Sequence, residues 1–193
     1  MHIKIQEDSI KETLEVSEKI DWKVNNFPSF FPIVQIGFEQ LGEESEALLF
    51  ARRGLKAYRL LVLFYIVNTG CSVVQLVTGY GDLGWLLYGL LQMILMSIIA
   101  LGVFYRGHRA SAFDNSMFKN YFFQELGLVV FILFCLKVDI GGYNGVQRVY
   151  DMIMKEEQVA PIVGIVANLV VFLSIYFRIL CLYQAVNWGK DDL

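Results

Sequence analysis

Charge is what this sequence has least of. Only 18% of its 193 residues are Asp, Glu, Lys or Arg, where a soluble domain carries about 25%. Those few charges are clustered, leaving long stretches with none, which points to lipid as the solvent for part of the chain. Cysteines number three, Cys71, Cys135 and Cys181. An odd, widely spaced set makes neither a disulfide framework nor a zinc site, and each reads as a small hydrophobe inside an apolar run. The two histidines, His2 and His108, stand alone and read as surface residues. With no histidine pair, no glycine-rich phosphate loop and no Ser-His-Asp set, nothing points to catalysis, a metal or a cofactor. Only Pro161 falls inside a candidate span, so the paired glycine- or proline-broken helices of transporters are missing. The first residues lack the basic region and apolar core of a signal peptide, which leaves the first apolar segment to direct membrane insertion.

What is abundant is apolar. Hydrophobic residues make up 56% of the chain and the mean hydropathy is +0.50. Crossing a bilayer core of about 30 Å takes roughly 20 apolar helical residues. Leu60–Gly81 and Leu83–Tyr105 pass outright, separated by Asp82 within a glycine-rich turn, and Gln158–Phe177 is also uncharged, closing on Arg178. Asn120–Val138 carries Glu125 and Lys137 near its ends, from where charged side chains can snorkel; aromatics at 121–123 supply an interfacial belt. The expected fold is therefore an all-α integral membrane protein of four transmembrane helices, at about 60–81, 83–105, 120–138 and 158–178.

Charge orders the rest. Residues 1–46 hold ten acidic and four basic residues, a net of −6. Residues 1–24 read as an acidic tail, 25–58 as a juxtamembrane segment, 59–185 as the membrane domain and 186–193 as a C-terminal tail. Arg52, Arg53, Lys56 and Arg59 form a basic collar ahead of the first span. Arg106, Arg109 and Lys119 follow the second span, and Arg178 and Lys190 the fourth. The opposite side has only Lys137, Arg148 and Lys155, so the lysine and arginine bias predicts both termini in the cytosol.

Two amphipathic helices are expected to lie on the membrane surface. Residues 45–58 place Leu48, Ala51, Leu55 and Tyr58 at helical spacing beside the collar, a pattern for an anionic leaflet. Residues 146–157 align Val146, Val149, Tyr150 and Ile153 opposite Arg148, Asp151 and Lys155. Lipid gives helices no hydrophobic reason to associate, so small and polar residues must hold the bundle. Gly70, Cys71 and Ser72 form a waist in the first span, and Ala160 with Gly164 does so in the fourth. Asn68, Gln75 and Asn168, polar at membrane depth, read as interhelical hydrogen-bonding groups, with a substrate or ion ligand as the competing role. Glu125 reads as one member of an interfacial ion pair close to Arg106 and Arg109, with a proton relay as the competing role.

Two segments carry a family likeness: NNFPSFFPI at Asn25–Ile33, and FYRGHRASAFDNSMFKNYFF at Phe104–Phe123. Together, with the spacing of the four spans, they resemble the secretory carrier membrane protein family over about residues 25–185. The resemblance implies a non-enzymatic tetraspanning protein of post-Golgi, endosomal and secretory-vesicle membranes, acting in exocytosis and endocytic recycling. It also implies that the 104–123 loop meets acidic phospholipids such as phosphoinositides, with Tyr105, Arg106, Arg109 and Phe113 as contacts. The chain departs from the family in having no Asn-Pro-Phe repeat, its nearest triplet being Asn26-Phe27-Pro28, and in having Gly107-His108 where a proline is usual. Membrane lipids are thus the expected partners. A homo-oligomer or a larger membrane complex, such as a proton pump or respiratory assembly with this chain as accessory subunit, is the alternative; a small channel comes third. Nucleic acid is not expected, because the basic 104–123 stretch lies between two spans.

Overall fold

Each apolar run forms the middle of a longer helix. In the computed structural model, which describes residues 26–28, 33–38, 41, 45–113, 116–137 and 142–188 without the side chains of residues 113, 116 and 188, five helices follow in order. Four are long: α1 (Glu46–Val77), α2 (Leu83–Phe113), α3 (Ser116–Lys137) and α5 (Ala160–Trp188). The short α4 (Val146–Met154) comes between the last two. All four long helices have the length and composition to cross a bilayer. The chain is an all-α integral membrane protein of four spans.

The expected surface helix at 45–58 is not separate. It is the start of α1, which runs 32 residues without interruption, about 48 Å at 1.5 Å per residue. Its apolar stripe explains why: Leu48, Ala51, Leu55 and Tyr58 are all buried, so these turns pack on protein and the helix has no reason to bend onto the membrane. Likewise α2 continues eight residues past Tyr105 and α3 starts at Ser116, so most of the expected 104–123 loop is helical. Charged residues end an apolar run without ending a helix, since Arg and Lys are good helix formers. The second amphipathic segment does form a separate helix, α4.

Local chemistry sets the ends. Ser45 caps α1, its hydroxyl oxygen accepting from the Leu48 N–H at 3.1 Å, and Glu46 sits favourably in the first turn. At the far end the Tyr80 and Gly81 N–H groups both donate to the Gln75 carbonyl at 2.9 Å, a C-terminal closure. Asp82, the lone charge of the first hairpin, then accepts from the Trp85 N–H at 2.9 Å and starts α2. Pro161 falls in the first turn of α5, where no N–H is needed.

The spans form a ring: α1 packs chiefly against α2 and α5, and α3 closes the circle by touching both. Inside lie Leu61, Phe64, Tyr65, Ile132, Val171 and Cys181, all nearly inaccessible. Outside, Leu91, Ile98, Phe134, Leu169 and Phe172 are exposed, the arrangement lipid allows. The waist of α1 is made by Cys71 and Ser72, which are buried, while Gly70 faces outward. The Gly164 face of α5 receives α4: a Cβ there would come within 2.6 Å of Val149 Cγ2.

The described part of the juxtamembrane segment folds back on the basic end of the bundle. Phe27 and Val34 pair as an antiparallel bridge. Asn26 locks it from the side, donating to the Ile36 carbonyl and accepting from the Ile36 N–H, both at 2.8 Å. Phe27 then packs edge-on against Tyr58 of α1 and Phe104 of α2. His108 lies beneath this fold, fully buried, accepting from the Gly37 N–H at 3.3 Å and meeting Phe38 and Phe104. The expectation of a surface histidine is corrected here: α2 turns that position inward and the 33–38 segment covers it.

Candidate functional site

The polar residues at membrane depth converge on a piece of irregular backbone. Residues 142–145, Gly-Tyr-Asn-Gly, dip into the ring and are buried. Backbone off a helix survives within a membrane only where protein satisfies its polar groups, and here asparagines do so. Asn68 of α1 donates to the Gly142 carbonyl at 2.6 Å and accepts from the Asn144 N–H at 2.8 Å. The Asn144 amide donates to the Asn68 carbonyl at 3.0 Å and to the Ser72 hydroxyl at 3.0 Å. Asn168 of α5 donates to the Asn144 carbonyl at 3.0 Å. Tyr143 meets Tyr65 hydroxyl to hydroxyl. Gly142 has φ +86°, and any side chain there would overlap the Gly89 backbone of α2. The loop thus plugs one half of the bundle, level with Gly89, about 9 Å along α2 from its start.

Asn68 and Asn168 therefore bind a loop rather than each other, and Asn144 is the residue sequence reasoning missed. Its signal was weak, because Gly-Tyr-Asn-Gly looks like any polar turn. Gln75 is also fully buried, and neither end of its amide meets a hydrogen-bond partner among the described residues.

In the other half of the bundle sits an ion pair. One guanidinium nitrogen of Arg178 reaches both Glu125 carboxylate oxygens, at 2.7 and 2.8 Å. Both residues are buried, at 2% and 3% exposure. The partner differs from the expected Arg106 or Arg109: it is Arg178 of α5. Glu125 faces the ring interior, where α5 is its neighbour, whereas Arg106 is exposed on α2. A carboxylate matched by a guanidinium from the adjacent helix reads as a joint between α3 and α5, not as a free proton carrier.

The basic end carries the remaining candidates. Arg52, Lys56 and Arg59 are exposed on α1 and Arg53 is half-buried; Lys56 lies over the Phe177 ring at 4.5 Å. Arg106 is exposed and Tyr105 half-buried on the last turns of α2, and the Arg109 guanidinium stands 6.0 Å from the Tyr105 ring centre. Gly107 lets α3 approach: a Cβ there would lie 2.6 Å from the Tyr121 ring. The Phe113 side chain, Asp114, Asn115, Lys190, His2 and the acidic 1–24 tail lie outside the described residues. Cys71, Cys135 and Cys181 are free and buried, and no cluster of metal-ligating residues occurs among the described residues.

A comparison with protein-family profiles matches residues 24–191 to the SCAMP family. That span covers the juxtamembrane fold, all four spans and the basic tip. The chain belongs to the SCAMP family. No curated protein and no solved structure gave a match. SCAMP membership implies a role in membrane trafficking and a non-enzymatic one. The two segments that carried the likeness meet in space: in this SCAMP chain Phe27 of the first packs on Phe104 of the second.

Proposed function

We propose that this SCAMP chain acts without enzymatic chemistry in vesicle trafficking, in exocytosis and endocytic recycling, on post-Golgi and endosomal membranes. The basic end faces the cytosol with both termini, and the tip of the α2–α3 hairpin meets acidic phospholipids, phosphoinositides among them. The observation that carries the reading is Arg106, exposed one residue from Tyr105 on a rigid helix end. Arg109 stands one turn on, and the α1 collar adds charge on the same side. Guanidinium groups suit phosphate, aromatics suit headgroup depth, and a rigid platform spares the ordering cost a loose loop would bear.

Flotation of the purified chain with liposomes tests it. Each basic residue near an anionic surface contributes about 1 kcal/mol. Arg106→Ala with Arg109→Ala is therefore expected to weaken phosphoinositide-liposome binding by about 30-fold, from ~2 kcal/mol. The effect shrinks as salt rises, because exposed charges are screened. Unchanged, salt-insensitive binding of the double variant removes the mechanism.

A further inference from the structure

Between α2 and α3, on the outer face of the ring, runs a groove with two chemically different halves. The half nearer the membrane centre encloses about 620 Å³ and is lined by apolar residues including Met96, Ile99, Leu128 and Phe131. The half nearer the basic end encloses about 540 Å³ and is lined by Tyr105, Arg109 and Asn120 among others. Gly102, Arg106 and Gln124 belong to both halves, so the two are continuous. The groove exists because glycine stands on each wall. A Cβ added at Gly102 or Gly127 would meet nothing within 4 Å. From Met96 to Arg106 it extends about 15 Å along the helix, and each half is within the ~300–1,000 Å³ of ordinary ligand pockets.

We infer that this groove holds one anionic glycerophospholipid lengthwise, its phosphate at Arg106 and one acyl chain lying over Gly102 and Gly127. The inference rests on the proposed headgroup role of the basic end and adds an intramembrane site to it. Charge complementarity selects the occupant. Arg106 and Arg109 stand at one end, no carboxylate lines either half among the described residues, and the other end is apolar. A sterol or neutral lipid would bring no anion to Arg106. A second observation points the same way: the Gln124 side-chain oxygen is enclosed and has no donor among the described residues. An enclosed acceptor without a donor is costly, and a hydroxyl of a polyol headgroup would supply one beside the phosphate.

The test is photo-crosslinking in nanodiscs of the full chain, using phosphatidylinositol phosphate with a diazirine near the end of one acyl chain. Tail adducts should concentrate on residues 96–102 and 127–131. Gly102→Leu and, from the opposite wall, Gly127→Leu fill open space and should lose most of these adducts. Both should elute and melt like the parent, and Gly127→Leu, which lines only the apolar half, should still bind phosphoinositide liposomes through Arg106. Arg106→Ala should lose the preference for the anionic probe over a phosphatidylcholine analogue. Adducts spread evenly over exposed faces such as Leu91 and Leu169 overturn the groove while leaving the headgroup reading intact. Groove adducts indifferent to Arg106→Ala overturn the anionic assignment, while liposome flotation of the Arg106→Ala, Arg109→Ala variant decides the headgroup reading separately. With a photoreactive amino acid at position 102 instead, crosslinking to a second copy of the chain and not to lipid overturns it in favour of a partner helix.

Discussion

Separating Glu125 from Arg178 is expected to be the most damaging charge change within the bundle. Removing one partner of a buried pair strands the other and costs about 3–5 kcal/mol, while replacing both by apolar residues of similar size is near neutral. Both groups are almost inaccessible here, and one nitrogen serves both carboxylate oxygens at 2.7 and 2.8 Å. At about 2–4 °C per kcal/mol for a chain of this size, a single variant should lose ~6–20 °C. The two singles should differ. In Arg178→Met the stranded carboxyl can take up a proton, whereas in Glu125→Leu the guanidinium keeps its charge, so Glu125→Leu should be the worse. The double variant should recover most of the loss. Thermal unfolding of the purified protein in detergent, followed by the monodisperse fraction surviving each temperature, measures all four members of the cycle. Singles melting within a few degrees of the parent would refute the reasoning, as would a double variant that falls by the sum of the singles.

Asn144→Leu removes the donors to the Asn68 carbonyl and the Ser72 hydroxyl, so stability should drop by about 1–3 kcal/mol, visible in the same melting assay. Gly142→Ala forces a side chain into the Gly89 backbone at φ +86°, and yield of folded protein after extraction should collapse. Gly164→Leu pushes on Val149, so amide exchange of residues 146–154 should accelerate while that of α1 does not. Phe27→Ala removes two edge-to-face contacts, each worth about 0.5–1.5 kcal/mol; limited proteolysis should then cut the 33–38 segment faster.

The spans were legible because hydropathy depends on composition within one segment. Helix ends were not, since Arg52 or Arg109 marks where lipid stops and not where hydrogen bonding stops. Asn68 and Asn168 announced that something polar must meet them at depth. Their partner was hidden, because the 142–145 loop has no apolar pattern and its place depends on Gly142 fitting against Gly89. Glu125 was recognised as half of an ion pair, but choosing among arginines needs the order of helices around the ring. His108 was misjudged for a similar reason: what covers it comes from 71 residues earlier in the chain.

The buried loop also bears on how the protein is made. Asn68 enters the membrane with the first helical hairpin, yet the groups that satisfy it belong to residues 142–145, about 75 positions later in synthesis. Between those moments the Asn68 side-chain amide lacks the partners that the loop supplies, and unmet polar groups are costly in lipid. The early product is therefore expected to be less stable in lipid than the finished bundle until residues 142–145 arrive. Truncation before residue 142 should leave an intermediate that quality control removes, making completion of the plug a checkpoint for leaving the site of synthesis.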